Sequence, residues 1–548
     1  MDRPSARSPH PVFRVLAFLA AITLFVASSI SVSPPLSAGP ATTPDLEDRI
    51  RRVENGLPPV SLGENEPPFQ LTLAKLMEIY NVPGLSIAVI DNFEIAWAKG
   101  YGVAEAGGHT PVTTRTLFQA GSVSKPVAAI ATMSLVQRGE LSLDQDVNGK
   151  LKSWKVPENE FTKDQKITLR RILSHTTGLT VHGFGGYAVD EPVPTLVQIL
   201  NGEKPANNVP VRVEFAPGSK WRYSGGGTMI EQQLLIDVTG KPFPRILQQA
   251  VFDKLGLKDS TYEQPLPAAR VPFAATGTYA QGGSVRGRWH VYPEMAAGGL
   301  WTTASDLAKI AIEIALSKQG KANHVLSQAT VREMLRPQVE RVGEIALGNK
   351  EHVDRMGLGF FLGDAAHPDL FGHIGDDEGF QAMLMMYGDS GKGVAVMANS
   401  ENGILLGDYL IQNIAKEYGW DYASPDRLHI GALSFLRAVE QAKGVSAALR
   451  IYEKLKREKS PPYVVNENTL VNFGYALLAD NKLKDAIEVM KLGVQEYPNY
   501  WNAYDSLGEL YAHAGEKQLA IQNYEKALAL NPGNGSSTEA LKQLKEEK

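Results

Sequence analysis

The pattern of apolar and polar positions divides the chain into an apolar start, a long mixed region and a helical end. Apolar positions at helical spacing predict a helix over Leu71–Tyr80. Four strands are predicted in two hairpins: Leu85–Ile90 with Glu94–Lys99, and Phe380–Tyr387 with Gly393–Ala398. Helical patterns rich in Ala and Leu lie between the hairpins. Strands at both ends with helices between them predict one mixed α/β domain whose sheet is closed by its two termini.

The first residues combine a basic start with an apolar tract. Three arginines precede the apolar run Val15–Val26, and small residues follow as far as Ala38. This order is typical of a secretory signal, so we expect residues 1–38 to be removed on export. The alternative is a retained membrane anchor, because the tract continues weakly toward spanning length. In both cases we expect a secreted or periplasmic protein whose leader is its only membrane contact, followed by a lead-in linker over 39–70.

The end of the chain carries an internal repeat. Gly474 and Gly508 lie 34 residues apart, and the same spacing relates further pairs of residues. These pairs are Leu477/Tyr511, Ala486/Ala520, Met490/Tyr524, Gly493/Ala527 and Pro498/Pro532. The period, with small residues where two helices touch, resembles tetratricopeptide repeats and implies a surface for a protein or peptide partner. We therefore predict a linker over 419–444 and an all-α, TPR-like solenoid with a capping helix over 445–548. Because only two units are clear, we expect it to dock on the preceding domain.

Composition adds exclusions to this outline. The 548 residues contain 43% hydrophobic and 21% charged side chains, which is typical of a globular protein. A net charge of −5 gives no reason to expect nucleic acid as a partner. The sequence has no cysteine, which excludes disulfides, thiol nucleophiles and thiolate metal sites. The histidines show no metal-ligand spacing, so we expect neither a metal nor another cofactor.

Ser122 and Lys125 are the candidate catalytic pair. They precede the helical run Val127–Gln137, and positions three apart share one face of a helix. A serine attacks a carbonyl group only when a base takes its proton, and a lysine can be that base where its surroundings favour the neutral amine. Pro126 fits only the first turn of a helix, which places Ser122 at the helix start. Backbone N–H groups favour developing negative charge there.

Ser-x-x-Lys alone is a weak motif, and the assignment of Ser122 and Lys125 as a catalytic pair depends on four other segments. They are Ser174–Leu179, Phe215–Gly225, Ala297–Leu307 and Phe371–Gly375. Another serine, Ser390, lies in a Gly-Asp-Ser-Gly segment that resembles a protease nucleophile. It stands between two apolar strands, where a turn requires those residue types.

In this order and spacing the segments resemble the serine β-lactamase and penicillin-binding-protein superfamily, above all its class C-like branch of D,D-peptidases, D-aminopeptidases and esterases. The resemblance covers 71–418 and implies an α/β (α+β) β-lactamase/transpeptidase-like domain. In that fold an antiparallel sheet flanked by helices stands beside an all-helical subdomain, and the site lies between them. The resemblance implies Ser122 as the acylated nucleophile, Lys125 as its base and Tyr223 as the group that protonates the leaving group.

The resemblance also assigns the surroundings of the nucleophile. His373 and Gly375 match the strand motif that flanks the site, where relatives carry Lys or His, any residue, then Gly. The backbone N–H groups of Ser122 and of Phe380 or Gln381 would form the oxyanion hole.

Two departures from the family pattern concern the substrate. Gly225 stands where relatives often have the asparagine that hydrogen-bonds the substrate. His373 replaces a lysine that many β-lactamases use near the substrate carboxylate, and the acidic run 376–378 follows it. Those acids either form a solvated turn or face the cleft, where they would repel an anion and hold an amine. His175 and Asp306 could be read as a triad with the nucleophile, but in similar proteins these segments are structural.

The leading hypothesis is an exported serine hydrolase that cleaves an ester or amide, with a small molecule or peptide as substrate, through an acyl-enzyme. A narrower alternative is a true β-lactamase or D,D-carboxypeptidase. An alternative of another class is a non-catalytic scaffold that binds peptides or peptidoglycan through a degenerate hydrolase domain and the repeats.

Overall fold

The computed structural model describes residues 43–56, 59, 68–340, 342, 353–420, 430–458 and 463–546. The predicted leader, 1–38, lies outside these residues. Contacts divide the chain into two compact units, Met1–Asp48 and Arg49–Lys548. In the first unit only the beginning of a helix is described, and the architecture below is that of the second. No helix in the described part of the chain has both the length and the apolar character that a bilayer span requires.

The secondary structure follows the predicted order of strands, helices and strands, and then of helices alone. The helices are α1 Thr43–Glu54, α2 Leu73–Ile79, α3 Ser124–Gln137, α4 Leu169–Leu173, α5 Leu196–Asn201, α6 Gly225–Thr239, α7 Phe243–Leu247, α8 Asp253–Leu255, α9 Met295–Gly298, α10 Ala304–Lys318, α11 Gln328–Met334, α12 Gly403–Tyr418, α13 Leu433–Lys443, α14 Val445–Arg457, α15 Glu467–Ala479, α16 Leu483–Glu496, α17 Trp501–His513, α18 Lys517–Leu530 and α19 Gly535–Glu546. The strands are β1 Gly84–Asp91, β2 Glu94–Gly102, β3 Phe118–Gln119, β4 Trp301–Thr302, β5 Val353–Met356, β6 Phe361–Gly363, β7 Leu370–Asp377, β8 Phe380–Tyr387, β9 Lys392–Ala398, β10 Ile430–Gly431 and β11 Tyr463–Val464. Short 3₁₀ turns lie at Gly121–Val123, Val147–Gly149 and Val271–Phe273, and a π-helical turn at Gln248–Phe252.

The main sheet in the described residues has seven strands in the order β2-β1-β9-β8-β7-β6-β5, and every neighbouring pair is antiparallel. Both predicted hairpins are present, as β1–β2 and β8–β9. β1 also pairs with β9, with Leu85 opposite Ala398. The sheet is therefore joined through the first and last strands of the region, which confirms the prediction.

Helices cover both faces of this sheet. Leu384 of β8 shares one hydrophobic core with Leu307 and Ile310 of α10. The preceding residue of the strand, Met383, points to the opposite face of the sheet. Its sulfur would lie 2.4 Å from a Cβ placed on Gly407 of α12. Since β8 is buried at nearly every position, its continuous apolar run is that of a strand covered on both sides.

The all-helical lobe surrounds α3. This helix has buried side chains on all its faces, from Ser124 to Leu135, and α6 is buried in the same way. A helix that is apolar all round lies inside a protein rather than on its surface. The start of α3 contacts α9 and β7 through the turn Gly121–Val123, so the nucleophile candidate lies where the helical lobe meets the sheet.

The repeats form helix pairs of the predicted kind. A Cβ on Gly474 of α15 would lie 2.7 Å from the terminal methyl of Met490 in α16. A Cβ on Gly508 of α17 would lie 3.0 Å from the ring of Tyr524 in α18. The same small-against-large contact thus recurs after 34 residues, which is how stacked helix pairs preserve one packing geometry.

Two segments predicted as linkers contain helices. α1 lies within 39–70, where Arg49 and Arg52 bond Glu417. α13 lies within 419–444 and packs on α2. Its Phe435 is fully buried, with its ring 5.6 Å from that of Phe69, and Ser434 is hydrogen-bonded to Tyr409 at 2.8 Å. This helix was missed because its apolar face is covered by residues far away in the sequence. The contact docks α13, which precedes the predicted repeats, on α2, and docking of the repeats themselves stays a prediction.

Candidate active site

The nucleophile candidate lies in a tight turn. Ser122 is the middle residue of the 3₁₀ turn Gly121–Val123, and α3 begins at Ser124. The amine Nζ of Lys125 donates to Ser122 Oγ at 2.8 Å and to the carbonyl oxygen of Ala297 at 2.9 Å. Lys125 is only 3% exposed, so its amine is held by these two oxygens rather than by bulk water. The serine and lysine predicted from their spacing are therefore in direct contact.

The segment Ala297–Leu307 holds this turn in place. The hydroxyl of Ser124 accepts a hydrogen bond from the backbone N–H of Leu300 at 3.0 Å, and Ala120 N donates to Leu300 O at 2.9 Å. Tyr262 fixes the other side, because its hydroxyl donates to Ser124 O at 2.6 Å. Buried, satisfied bonds of this kind keep the serine in one orientation.

Tyr223 lies beside the pair. Its ring lies under Lys125, with Nζ 5.0 Å from the ring centroid, and stacks on Phe361. His175 packs against the same ring at 4.4 Å, and its Nδ1 accepts the backbone N–H of Ser224, the N-cap of α6. Burial holds the pKa of His175 well below its ordinary value, so the ring is neutral. His175 therefore positions the tyrosine.

The triad alternative does not match the geometry. Asp306 lies in the first turn of α10, where its carboxylate accepts the Ser260 hydroxyl at 3.0 Å and pairs with Lys309 at 3.0 Å. Its own N–H donates to the N-cap Thr303. His175 and Asp306 are thus engaged with separate structural partners. Ser390 likewise lies in the β8–β9 turn, as its residue types predict.

His373 and Gly375 both lie on β7, but they face different surroundings. His373 is buried, with Nδ1 donating to Ile374 O at 2.5 Å and its ring 4.8 Å from Phe361. Burial, then the nearby lysine, lowers the pKa of His373 to about 3, so it is neutral. Gly375 instead lies against the nucleophile turn: a Cβ there would be 1.9 Å from Ala120 O and 3.0 Å from Ser122 N.

The oxyanion-hole prediction needs a correction. Gln381 is paired on both sides, with Asp376 on β7 and Ala398 on β9, and neither it nor Phe380 lines the cleft. The backbone nitrogen of Asp376 lies at the turn instead, 2.3 Å from where a Cβ on Gly121 would stand. The backbone N–H of Asp376 on β7, rather than that of Phe380 or Gln381, is therefore the candidate for the donor that would accompany Ser122 N–H.

A cleft of about 360 Å³ opens over the serine. Its lining residues are Ser122, Lys125, His182, Gly183, Phe184, Tyr223, Tyr292, Ala297, Gly298, Asp376 and Asp377. A larger cleft of about 950 Å³ lies against α2 and β2, but none of the predicted catalytic residues lines it. The volume of a cleft therefore does not by itself identify the candidate active site. Within the described residues, no three His, Asp or Glu side chains come together as a metal site would require.

The loop 182–186 occupies the place of the missing asparagine. A Cβ on Gly225 would lie 2.9 Å from the Phe184 ring and 3.1 Å from His182 O. The N–H of Gly225 donates to that same carbonyl at 3.0 Å. Phe184 was missed in the sequence, where the glycines around it were its only signal. The asparagine side chain is thus missing at Gly225, and the ring of Phe184 lines the cleft beside this position.

The acidic run faces the cleft rather than forming a solvated turn. Asp377 is 6% exposed and accepts the N–H of Gly121 through Oδ2 at 3.1 Å. Asp376 lies at the surface of the cleft, where its Oδ1 accepts Gln381 Nε2 at 2.9 Å. Burial and then the neighbouring carboxylate of Asp376 raise the pKa of Asp377 well above its ordinary value.

An antiparallel sheet beside a helical lobe, with a Ser–Lys pair at the start of a buried helix, is the architecture of the serine β-lactamases and penicillin-binding proteins. The sequence model of the family described as Beta-lactamase matches residues 69–418, and the chain belongs to this family. The model of the tetratricopeptide repeat matches 501–534.

Similar proteins include hydrolases of several kinds. The Unguisins hydrolase ungD of Aspergillus violaceofuscus is 27% identical over 267 residues, 44% of this chain and 43% of that protein. A beta-lactamase of Pseudomonas fluorescens is 30% identical over 242 residues, 43% of this chain and 61% of that protein. The D-amino acid amidase of Ochrobactrum anthropi SV3 shares the fold, with a TM-score of 0.53 at 20% identity over 68% of this chain and 99% of that one. The matched part thus spans about half the length of these two sequence relatives.

Proposed function

We propose that this protein is an exported serine hydrolase that cleaves an ester or amide through a covalent Ser122 acyl-enzyme. Lys125, in its neutral form, takes the proton of Ser122 Oγ as that oxygen bonds to the substrate carbonyl carbon. The N–H groups of Ser122 and Asp376 hold the resulting oxyanion. The bond to the leaving group then breaks, and Tyr223 or Lys125 returns the proton to it. Water attacks the ester so formed, and the same groups release the acid and restore Ser122.

One observation carries this proposal: the 2.8 Å hydrogen bond between Lys125 Nζ and Ser122 Oγ. Nucleophile and base must lie within hydrogen-bond reach, about 2.6–3.2 Å, for proton transfer to accompany attack. Lys125 is buried and Ser122 is half-buried, beside a cleft that accommodates a small substrate. A scaffold with no reaction to perform has no need of a buried lysine beside a serine hydroxyl, because burying an amine is costly.

Covalent labelling tests the proposal. A fluorophosphonate probe should label the wild-type protein once, at the peptide that contains Ser122, and Ser122→Ala should abolish labelling. Ser390→Ala is the matched control, because Ser390 lies in the exposed β8–β9 turn and should label like the wild type. Undiminished labelling of Ser122→Ala removes the assignment. A folded wild-type protein that takes no probe supports the scaffold alternative.

Substrate turnover separates the narrower alternatives. Nitrocefin hydrolysis would favour a true β-lactamase, release of D-alanine from D-alanyl-D-alanine peptides a D,D-carboxypeptidase, and turnover of short p-nitrophenyl esters an esterase. We expect β-lactam turnover to be weak, because Gly225 lacks the side-chain amide with which relatives hydrogen-bond the substrate at this position.

Export and partner binding are parts of the same proposal. The basic and apolar leader 1–38 supports a secreted or periplasmic location. Fractionation of cells that express the full chain tests this, and a cytoplasmic protein of full length would contradict it. The repeat match supports a peptide or protein ligand. Its test is whether removing 501–546 alters turnover of a peptide substrate but not of a small ester.

A further inference from the structure

The charges around the cleft do not suit an anionic substrate. Among the described residues that line it, Lys125 is the only lysine or arginine, and its amine is bonded to Ser122 and Ala297. His373, at the position where relatives bind a carboxylate with lysine, is buried and does not line the cleft. A substrate carboxylate would therefore meet two aspartates and no cation of its own.

Asp377 offers an acceptor to the cleft. Its Oδ2 takes the N–H of Gly121, but Oδ1 has no hydrogen-bond partner among the residues that the structure describes. This oxygen points to Gly298, another lining residue, because a Cβ there would lie 3.0 Å from Oδ1. Because Asp377 as a whole is only 6% exposed, little water reaches its carboxylate, and an oxygen without a donor there carries a cost. A ligand that brings N–H donors would remove this cost.

The position of the acids is fixed by their neighbours. The hydroxyl of Tyr292 accepts the N–H of Glu378 at 2.9 Å, which holds the β7–β8 turn against the cleft wall. Asp376 is held by Gln381 at the cleft surface. Burial and then the neighbouring carboxylate of Asp376 raise the pKa of Asp377, so the two acids repel each other when both are charged. A bound cation would oppose this repulsion, whereas an anion would increase it.

We propose that Asp377 and Asp376 bind the ammonium group of the substrate, so that the preferred substrates are esters or amides of amino acids or peptides with a free amine. An ammonium at hydrogen-bond distance from Asp377 Oδ1 lies close to the carbonyl group under attack, because Oδ2 already contacts the residue before Ser122. An α-amino acyl group meets this requirement. The inference rests on the proposed function of Ser122 and adds the substrate class.

A set of matched substrates tests this inference. Methyl esters and p-nitroanilides of D- and L-alanine are compared as the free amine, the uncharged N-acetyl and the anionic N-succinyl derivative. For at least one enantiomer we expect kcat/KM to fall in that order, and the amine-to-acetyl ratio to be at least about 30-fold, as for loss of one partner of a buried charge pair. Asp377→Asn and Asp376→Asn should each lower that ratio, and the double variant should bring it near one.

The controls separate this inference from the proposed function. Asn at 377 keeps an acceptor for Gly121, and N-acetyl turnover in each variant reports on the reaction without the ammonium. Asp389→Asn, an equal change of charge in the distant β8–β9 turn, should leave the ratio as in the wild type. Fluorophosphonate labelling of Ser122 without any amine preference, or an unchanged ratio in the double variant, overturns the ammonium site alone. Loss of labelling and of all turnover in the wild type overturns the proposed function.

Discussion

Replacing Gly375 by alanine tests how closely β7 lies against the nucleophile. A Cβ there would stand 1.9 Å from Ala120 O, and both partners are backbone, so neither can rotate away. Restoring even a 3.0 Å contact parts the strand from the turn by about 1.1 Å. A displacement of about 1 Å at a reacting centre costs on the order of 100-fold in rate. We therefore expect Gly375→Ala to lower the rate constant of Ser122 acylation about 100-fold.

The assay is the rate of fluorophosphonate labelling, followed by intact mass, below the melting temperature of each variant. Gly372→Ala is the matched control, because Gly372 lies on the same strand, about 10 Å from position 375, and its Cβ would lie 2.1 Å from Leu384 O on β8. Both variants should lose at least about 1–3 kcal/mol of unfolding free energy through overpacking. Only Gly375→Ala should react slowly while folded. If it acylates at the wild-type rate, or if Gly372→Ala is equally slow, the contact between β7 and the turn does not control the nucleophile.

Three further predictions follow from buried groups. Lys125→Met removes the base and should slow labelling by about 10²–10⁴-fold, whereas Lys166→Met, an exposed lysine, should label normally; equal rates for the two would contradict the role of Lys125. Gly225→Asn should lower the melting temperature without increasing nitrocefin turnover, because its Cβ meets Phe184 at 2.9 Å, and a gain in turnover would show that the loop makes room. Burial raises the pKa of Glu231 from 4.5 to about 7, so its contribution to stability is complete below pH 4.5 and is lost, by a few kcal/mol, as the pH rises to about 7. Glu231→Gln should therefore have a higher urea midpoint than the wild type at pH 8 but not at pH 4, and an equal difference at both values would refute this.

Local periodicity was enough to predict the strands and helices whose apolar pattern lies within one continuous stretch of the sequence. The strand predicted over Phe380–Tyr387 has those bounds in the structure, and its partner begins at Lys392, one residue before the predicted Gly393. The 34-residue spacing likewise identified the contact that Gly474 and Gly508 make with the following helix. In these cases the alternation of a strand or the face of a helix is written in consecutive residues.

The oxyanion donor was misplaced because its position depends on a turn. Glu378 and Gly379 form a two-residue turn that pairs Asp377 with Phe380 and returns the chain along β8. Alternation predicted only the second strand of this hairpin, and the donor that the resemblance implies was assigned to that strand. The clash that a Cβ at Gly375 would make belongs to a contact between residues more than 250 positions apart, which no periodicity reports.

The catalytic pair and the substrate side of the cleft differ in how far a sequence determines them. Ser122 and Lys125 are three residues apart at the start of one helix, so spacing alone predicted their contact. The substrate side is built from the loop at Phe184, the start of α6 at Gly225 and the end of β7 at Asp377, which meet only when the helical lobe closes on the sheet. Both departures from the family pattern, at Gly225 and at His373 with the acidic run after it, concern this side, while the pair is intact. A close family match thus predicts the type of reaction, and the substrate has to be argued from the charges and contacts of the assembled cleft.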